Sequence, residues 1–258
     1  LAEDPRVHLL HRRINVVWGS IRQVEYQMEL IREALSTGPF HRLIAISGLD
    51  YPLWSNARIV EFFSHLGDRE LLQGIRMTHQ GTTAANYRRY RWLNAHPWKP
   101  GTMANQLRVA LQRLVYGVGF RKPLSFRSQG VEYHLHKGAS WWGISGELAA
   151  YVLHEWDKNK RLVNYFSTAF CPDETFIQTV AFNSRFASRC LLQEGRYTSL
   201  AALTPLTYID YDPVIKVLTE EDWPVLQQSG KMFCRKTMTG TSDALLDRID
   251  RERQFSTL

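Results

Sequence analysis

Hydrophobic and polar positions follow two different periods along this chain. Ile21, Val24, Met28, Ile31 and Leu35 recur at alternating steps of three and four, which predicts a helix with one buried stripe. Ser20 is placed to cap its start, and Gly38-Pro39 to end it. Leu43-Ile44-Ala45-Ile46 is instead a continuous apolar run between turn formers, as expected of a strand buried on both faces of a parallel sheet. A polar loop, Ser47-Gly48-Leu49-Asp50-Tyr51-Pro52-Leu53, follows it, and Ile59, Phe62, Phe63 and Leu66 mark the next helix. Strand, loop and helix in that order form a βα unit. Ligands of such units sit beyond the carboxyl ends of the strands, so the loop bearing Ser47 and Asp50 is a candidate site, or else a plain connecting turn.

Met103, Leu107, Ala110, Leu111 and Leu114 predict a helix over 103–117. His136 to Ser145 reads as a loop entering a strand, with a helix after it carried by Leu148, Ala149, Val152 and Leu153. Trp141 and Trp142 in this loop could form a platform for a sugar ring. Adjacent strand residues point to opposite faces, so one indole should be core and only one accessible. Tyr87-Arg88-Arg89-Tyr90-Arg91-Trp92, with Trp98 and Lys99 beyond, interleaves cations with aromatics. Such a stretch can stack on bases or sugars, or lie half-buried with its Arg stems along apolar surface. Cys171-Pro172-Asp173-Glu174 opens a further helix carried by Phe176, Ile177 and Val180, with Pro172 where a missing N–H costs nothing. Acidic residues at a helix start ordinarily just partner its dipole.

Composition changes this picture in three places. With 44% hydrophobic and 22% charged residues among 258, the chain has enough apolar material for a large core and is far from disordered composition. No apolar run approaches the roughly 20 residues of a membrane span, and Leu1-Ala2-Glu3-Asp4-Pro5-Arg6 lacks the apolar centre of a signal peptide. A net charge of +7 suits an anionic ligand, a nucleotide sugar or a nucleic acid, as well as a merely solvated basic surface. Cys171, Cys190 and Cys234 form no CxxC or other metal-ligand spacing, and there is no Asn-x-Ser/Thr sequon. Both absences favour a reducing cytoplasm, as in a bacterial cell, over a Golgi lumen in a eukaryotic one.

Five segments, in order, resemble the core-2/I-branching enzymes, a glycosyltransferase family that includes β-1,6-N-acetylglucosaminyltransferases and peptide O-xylosyltransferases. They are Val16-Val17-Trp18-Gly19-Ser20, Ile46 to Leu53, Lys137-Gly138-Ala139-Ser140-Trp141-Trp142, Cys171-Pro172-Asp173-Glu174 and Phe233-Cys234-Arg235-Lys236. The resemblance implies an α/β fold over 1–258, a single GT-A-like domain with a central mixed, mostly parallel sheet flanked by helices. It also implies a UDP-sugar donor carrying N-acetylglucosamine or xylose, a glycan or glycosylated acceptor, inversion at the anomeric carbon, and neither metal nor other cofactor. Glu174 matches the family's general base. Arg235 and Lys236 match the basic residues that take the place of a metal at the diphosphate, Lys236 being the closer counterpart. Ser47, Asp50 and Arg12 are expected with the donor, and Lys137, Trp141, Trp142 and Asp173 with the acceptor. At least one of Arg235 and Lys236 should then turn into the same cleft as Glu174 and the Ser47 to Asp50 loop.

Two departures stand against the family pattern. The opening strand with a His-x-Asp-type motif is not found, so the chain is expected to lack that strand or to have diverged there. A second upstream cation has only Lys216 as its counterpart. Asp210-Tyr211-Asp212 is a literal DxD, which would serve a metal-dependent transferase, although it lies later in the chain than that role requires. A basic nucleic-acid-binding module and a non-catalytic carbohydrate-binding relative are the remaining alternatives; no helix-turn-helix, zinc-finger or RNP-type pattern supports the former.

Overall fold

The computed structural model describes residues 4, 6–78, 82–195, 197–212 and 214–255. In chain order its helices are α1 (Arg22–Thr37), α2 (Asn56–His65), α3 (Thr82–Tyr87), α4 (Met103–Gly117), α5 (Gly146–Lys158), α6 (Lys160–Ser167), α7 (Phe176–Phe182), α8 (Trp223–Gln228) and α9 (Asp243–Phe255). Its strands are β1 (Arg42–Ile44), β2 (Asp50–Pro52), β3 (Gln73–Arg76), β4 (Ser125–Ser128), β5 (Val131–His134), β6 (His136–Gly138), β7 (Gly143–Ser145), β8 (Leu191–Gln193), β9 (Thr207–Ile209) and β10 (Phe233–Arg235). The backbone divides into two compact units. The first comprises Leu1–His41, Arg76–Lys137 and Gly146–Arg185, and the second Arg42–Ile75, Gly138–Ser145 and Phe186–Leu258.

The first unit is built on helices. Val24, Met28 and Ile31 of α1 are buried with Leu148, Ala149 and Val152 of α5, and α5 also packs on α6 and α7. Each large aliphatic side chain so buried contributes roughly 1.5–3 kcal/mol. The predicted α1 stripe is therefore its core face. Ser20 Oγ accepts from the Arg22 amide at 3.2 Å, one residue ahead of the observed cap position at Ile21. Gly146 is required where α5 begins, because a Cβ there would lie 2.6 Å from the Phe40 carbonyl oxygen. Helix α4 has the predicted bounds, and its apolar positions face outward: Met103, Leu107, Leu111 and Leu114 are exposed, and Gln112 on the opposite side is buried.

The Tyr87 to Trp92 segment takes the half-buried form. Tyr90 stacks between Trp92 and Phe120, while Arg89 lies over Tyr116 and Arg91 over Phe170. Beside it, Lys122 is almost wholly buried; its Nζ donates to Tyr165 O at 2.5 Å and Thr168 Oγ1 at 2.9 Å and sits 3.8 Å from the Tyr165 ring centroid. Burial lowers its pKa from 10.5 to about 7. The folded state then resists protonation across the window from about 7 to 10.5, the unfolded chain holds the extra proton, and stability rises with pH there. Lys122→Met removes that dependence. Its stability relative to the wild type should fall by about 1.4 kcal/mol per pH unit between roughly pH 7.5 and 9.5 in urea titrations. A flat difference would mean that Lys122 keeps an ordinary pKa.

In the second unit, β2, β10 and β9 form a sheet with β10 central, antiparallel to β2 and parallel to β9. Strand β1 pairs antiparallel with β7, and β3 pairs parallel with β8. Phe63, Leu66, Leu71, Leu206, Met232 and Phe233 fill one apolar cluster. Leu218, Trp223, Leu226, Cys234, Leu245 and Ile249 fill another, so β10 contributes to both. Buried Glu70 accepts from Arg42 Nη1 at 3.3 Å, Ser145 N at 2.7 Å and Ser145 Oγ at 2.6 Å, fixing the β1–β7 pair.

The chain is thus α/β, but its described strands are spread over four small sheets rather than gathered in one central, mostly parallel sheet. Strands of three or four residues end before a wide ladder can form. The run Leu43 to Ile46 shows why its pattern misleads. Its strand is half-buried and paired antiparallel with β7, with Ile46 mostly exposed.

Candidate active-site residues

Glu174 is positioned by an unusual turn. Cys171 takes a left-handed backbone (φ 42°, ψ 61°), after which Pro172–Glu174 makes one 3-10 turn before α7 begins. A non-glycine residue in that conformation costs about 1–2 kcal/mol. Hydrogen bonds from Glu174 N to Cys171 O and from Thr175 N to Pro172 O, both 3.1 Å, hold the turn closed. Asp173, expected with the acceptor groups, is instead buried in it and accepts from Gln23 Nε2 at 3.2 Å, while Gln23 Oε1 accepts from the Gly19 amide. The turn is in this way braced against the start of α1.

Glu174 itself meets Lys137. The ammonium pairs with Glu174 Oε2; the Lys137 side chain is 4% exposed and that of Glu174 21%. A buried cation therefore meets the carboxylate, which keeps access to solvent. Tyr87 lies beneath, its ring centroid 5.7 Å from Lys137 Nζ. Burial pushes the Tyr87 hydroxyl far above its usual range despite the opposing Lys137 charge, so it stays neutral, its oxygen accepting from Lys137. Burial, followed by the Glu174 and Asp173 charges, pushes the Cys171 thiol up as well, which favours the neutral thiol over the thiolate.

On the second unit, Arg235 at the end of β10 stands opposite Asp50 in β2. Its Nη1 donates to Asp50 Oδ1 at 2.7 Å and to Ser47 Oγ, and its guanidinium lies 4.8 Å from the Trp141 ring centroid. Asp50 also accepts from Ser47 N at 2.7 Å, so one buried carboxylate closes the loop and matches the Arg235 charge. Lys236 is half-buried, and among the described residues its ammonium has no carboxylate partner. Lys216, by contrast, is bound to Asp222 Oδ1 at 2.6 Å, a contact that raises its pKa. Of Arg235, Lys236 and Lys216, Lys236 is thus the one without a carboxylate partner among the described residues. Trp142 is buried and Trp141 half-buried, as expected of the pair, but both precede β7, and Gly143 and Ile144 after them are buried too, so strand alternation is not the reason.

The arrangement predicts a stability effect. Asp50→Ala leaves Arg235, 15% exposed at its side chain, without its counter-charge, and should cost about 3–5 kcal/mol in urea melts. A loss within the 0–1 kcal/mol range of a surface pair would contradict the structural role assigned to Asp50.

Of the sequence-predicted residues, Ser47, Asp50, Arg235, Lys236 and Trp141 fall together on the second unit, and Glu174, Lys137, Asp173 and Arg12 on the first. Arg12, expected with the donor, is exposed and bound to Glu25 at 2.8 Å and Glu29 at 2.9 Å, so its charge is already matched. Asp210 is half-buried, Asp212 is exposed, and among the described residues no group of three or more His, Cys, Asp or Glu is arranged around a metal position. Tyr87 and Gln23 were not singled out from sequence. The sequence marks Tyr87 only as part of the cation and aromatic stretch from Tyr87 to Trp92, and nothing in the pattern marks Gln23.

The segments that carry Glu174, Lys137, Ser47 and Asp50 lie within residues 2–225, which match the family model described as Core-2/I-Branching enzyme. The chain belongs to that family. Among curated proteins it is 22% identical over 204 residues to the xylosyltransferase sqv-6 of Caenorhabditis briggsae and 22% identical over 202 residues to that of Caenorhabditis elegans. Those alignments take in 76% and 75% of this chain but 22% of each relative, so the chain spans about a fifth of their length. Arg235 and Lys236 lie beyond the family match. No described helix is long and apolar enough to cross a membrane.

Proposed function

We propose that this chain is an inverting glycosyltransferase that moves a sugar, xylose or N-acetylglucosamine, from a UDP-sugar to the hydroxyl of a glycan or glycosylated acceptor. The pairing of Glu174 with buried Lys137, inside the region matching the family, carries this reading. In a single displacement the acceptor oxygen attacks the anomeric carbon, its proton passes to the Glu174 carboxylate, and the bond from that carbon to the diphosphate oxygen breaks to release UDP. Lys137 holds the base in place. The charge that develops on the diphosphate is taken up by Lys236, a mobile point charge, while Arg235 is committed to Asp50. Trp141 offers an apolar indole to the C–H side of a sugar. In this reading residues 1–258 are a GT-A-like catalytic domain.

Because the leaving group is met by a lysine, the proposal includes independence from divalent metal. Excess EDTA should leave the transfer rate within a factor of about two, whereas loss of a Lewis acid costs several kcal/mol. Strict Mn²⁺ or Mg²⁺ dependence would shift the reading to Asp210 and Asp212. The donor is identified by thermal shift against UDP-, GDP- and dTDP-sugars, since a specific ligand raises the melting temperature by mass action. Stabilisation by UDP-sugars alone is the expected outcome.

A further inference from the structure

Helix α4 turns its apolar side away from the protein. At 100° per residue, Met103, Leu107, Leu111 and Leu114, continued by Val118, fall within about 80° of one another. All five are between 52% and 84% exposed, and Phe120, just past the helix, is 58% exposed. The inward side is carried by Asn105, Arg108, Val109, Gln112 and Tyr116, with Gln112 buried. A soluble surface helix has the opposite arrangement. A contiguous stripe of this kind marks a binding surface rather than scattered exposure.

The charge around it is one-sided. From Leu71 to Val131 the sequence has ten Lys or Arg and no Asp or Glu, leaving 22 Lys and Arg against 25 Asp and Glu elsewhere. The excess positive charge of the whole chain thus comes from this stretch. Lys99, Arg113, Arg121 and Arg127 are exposed within it, and none has an ion-pair partner among the described residues.

We infer that α4 and its flanking cations are a membrane-surface site, with the helix lying in the interface of an anionic lipid bilayer. At 15 residues α4 is about 22 Å long and too short to span, but its large leucine and methionine side chains suit shallow insertion. Lys and Arg beside such a stripe bind anionic headgroups. A second copy of the chain is a poorer occupant, because facing α4 surfaces would bring like charges together. A nucleic acid would use the cations but leave the apolar stripe in water.

The test is co-sedimentation of the 258-residue chain with vesicles at about 0.1 M salt, comparing phosphatidylcholine alone with phosphatidylcholine containing about 30 mol% phosphatidylserine. Binding to the anionic vesicles should be tenfold or more tighter, by order of magnitude, and weaken as salt is raised. Leu107→Glu with Leu114→Glu should reduce it by roughly tenfold or more. Arg113→Glu with Arg121→Glu should do the same through charge alone. All four positions are exposed, so the melting temperature should stay unchanged. Failure to bind anionic vesicles, binding unaffected by both pairs of substitutions, or a concentration-dependent dimer abolished by the leucine pair would each overturn the inference.

Discussion

Glu174→Gln is expected to slow sugar transfer by about 10²–10⁴-fold, the usual contribution of a general base, while UDP-sugar affinity changes little. The amide has nearly the shape of the carboxylate and can still accept a hydrogen bond from Lys137, so the turn from Cys171 to Thr175 should persist. What it loses is the ability to take the acceptor proton. The effect should appear in kcat more than in KM, because the missing interaction belongs to the transition state. Lys137→Met offers an independent check on the same pair. It removes the cation that orients the carboxylate and leaves Glu174 without its partner at Oε2, so the rate should fall although the base remains. Transfer by Glu174→Gln at a near wild-type rate would remove this residue from the chemistry.

Lys236→Ala is expected to weaken UDP binding and to slow transfer by roughly 10²-fold or more, the effect of removing one preorganised charge from a developing anion. The contrast with Arg235 makes the experiment informative. Arg235 is matched by Asp50 and stacked against Trp141, so its removal should register first as lost stability. Lys236 has no carboxylate partner among the described residues, and its removal should leave the melting temperature within the small range of surface substitutions. An ordinary solvated lysine would change neither stability nor activity. Added Mn²⁺ is not expected to restore the Lys236→Ala variant. Full activity in that variant would place the diphosphate elsewhere.

The helices were legible in the sequence to the extent that periodicity marks them. The α1 stripe and the bounds of α4 follow from apolar spacing, but spacing does not say which way a stripe faces, and in α4 it faces solvent. The sheets were not legible. A four-residue apolar run such as Leu43 to Ile46 has the same composition in a central parallel strand as in a short antiparallel pair, and only its neighbours decide.

Candidate chemistry divides in a similar way. Glu174 and the Arg235-Lys236 pair were found through ordered resemblance, since an acidic residue at a helix start carries no signal of its own. Lys137 and Asp50 belong to the same resembling segments, but as acceptor- and donor-side residues rather than as the partners of Glu174 and Arg235. Lys137 is 37 residues from Glu174, and Asp50 is 185 from Arg235, so these pairings are properties of the folded chain. That Arg235 rather than Lys236 pairs with Asp50 was equally hidden, because it depends on which cation a buried carboxylate reaches.

The central claim is that Glu174 activates an acceptor hydroxyl against a UDP-sugar, and UDP release is its most direct measure. Purified wild-type and Glu174→Gln chains would be incubated with UDP-xylose or UDP-N-acetylglucosamine, with and without a panel of glycan acceptors. The account predicts UDP formation that depends on an acceptor and falls by about 10²-fold or more in the variant, with donor binding retained in both. UDP release at equal rates by the two proteins, or none from the wild type with any donor and acceptor, would contradict it.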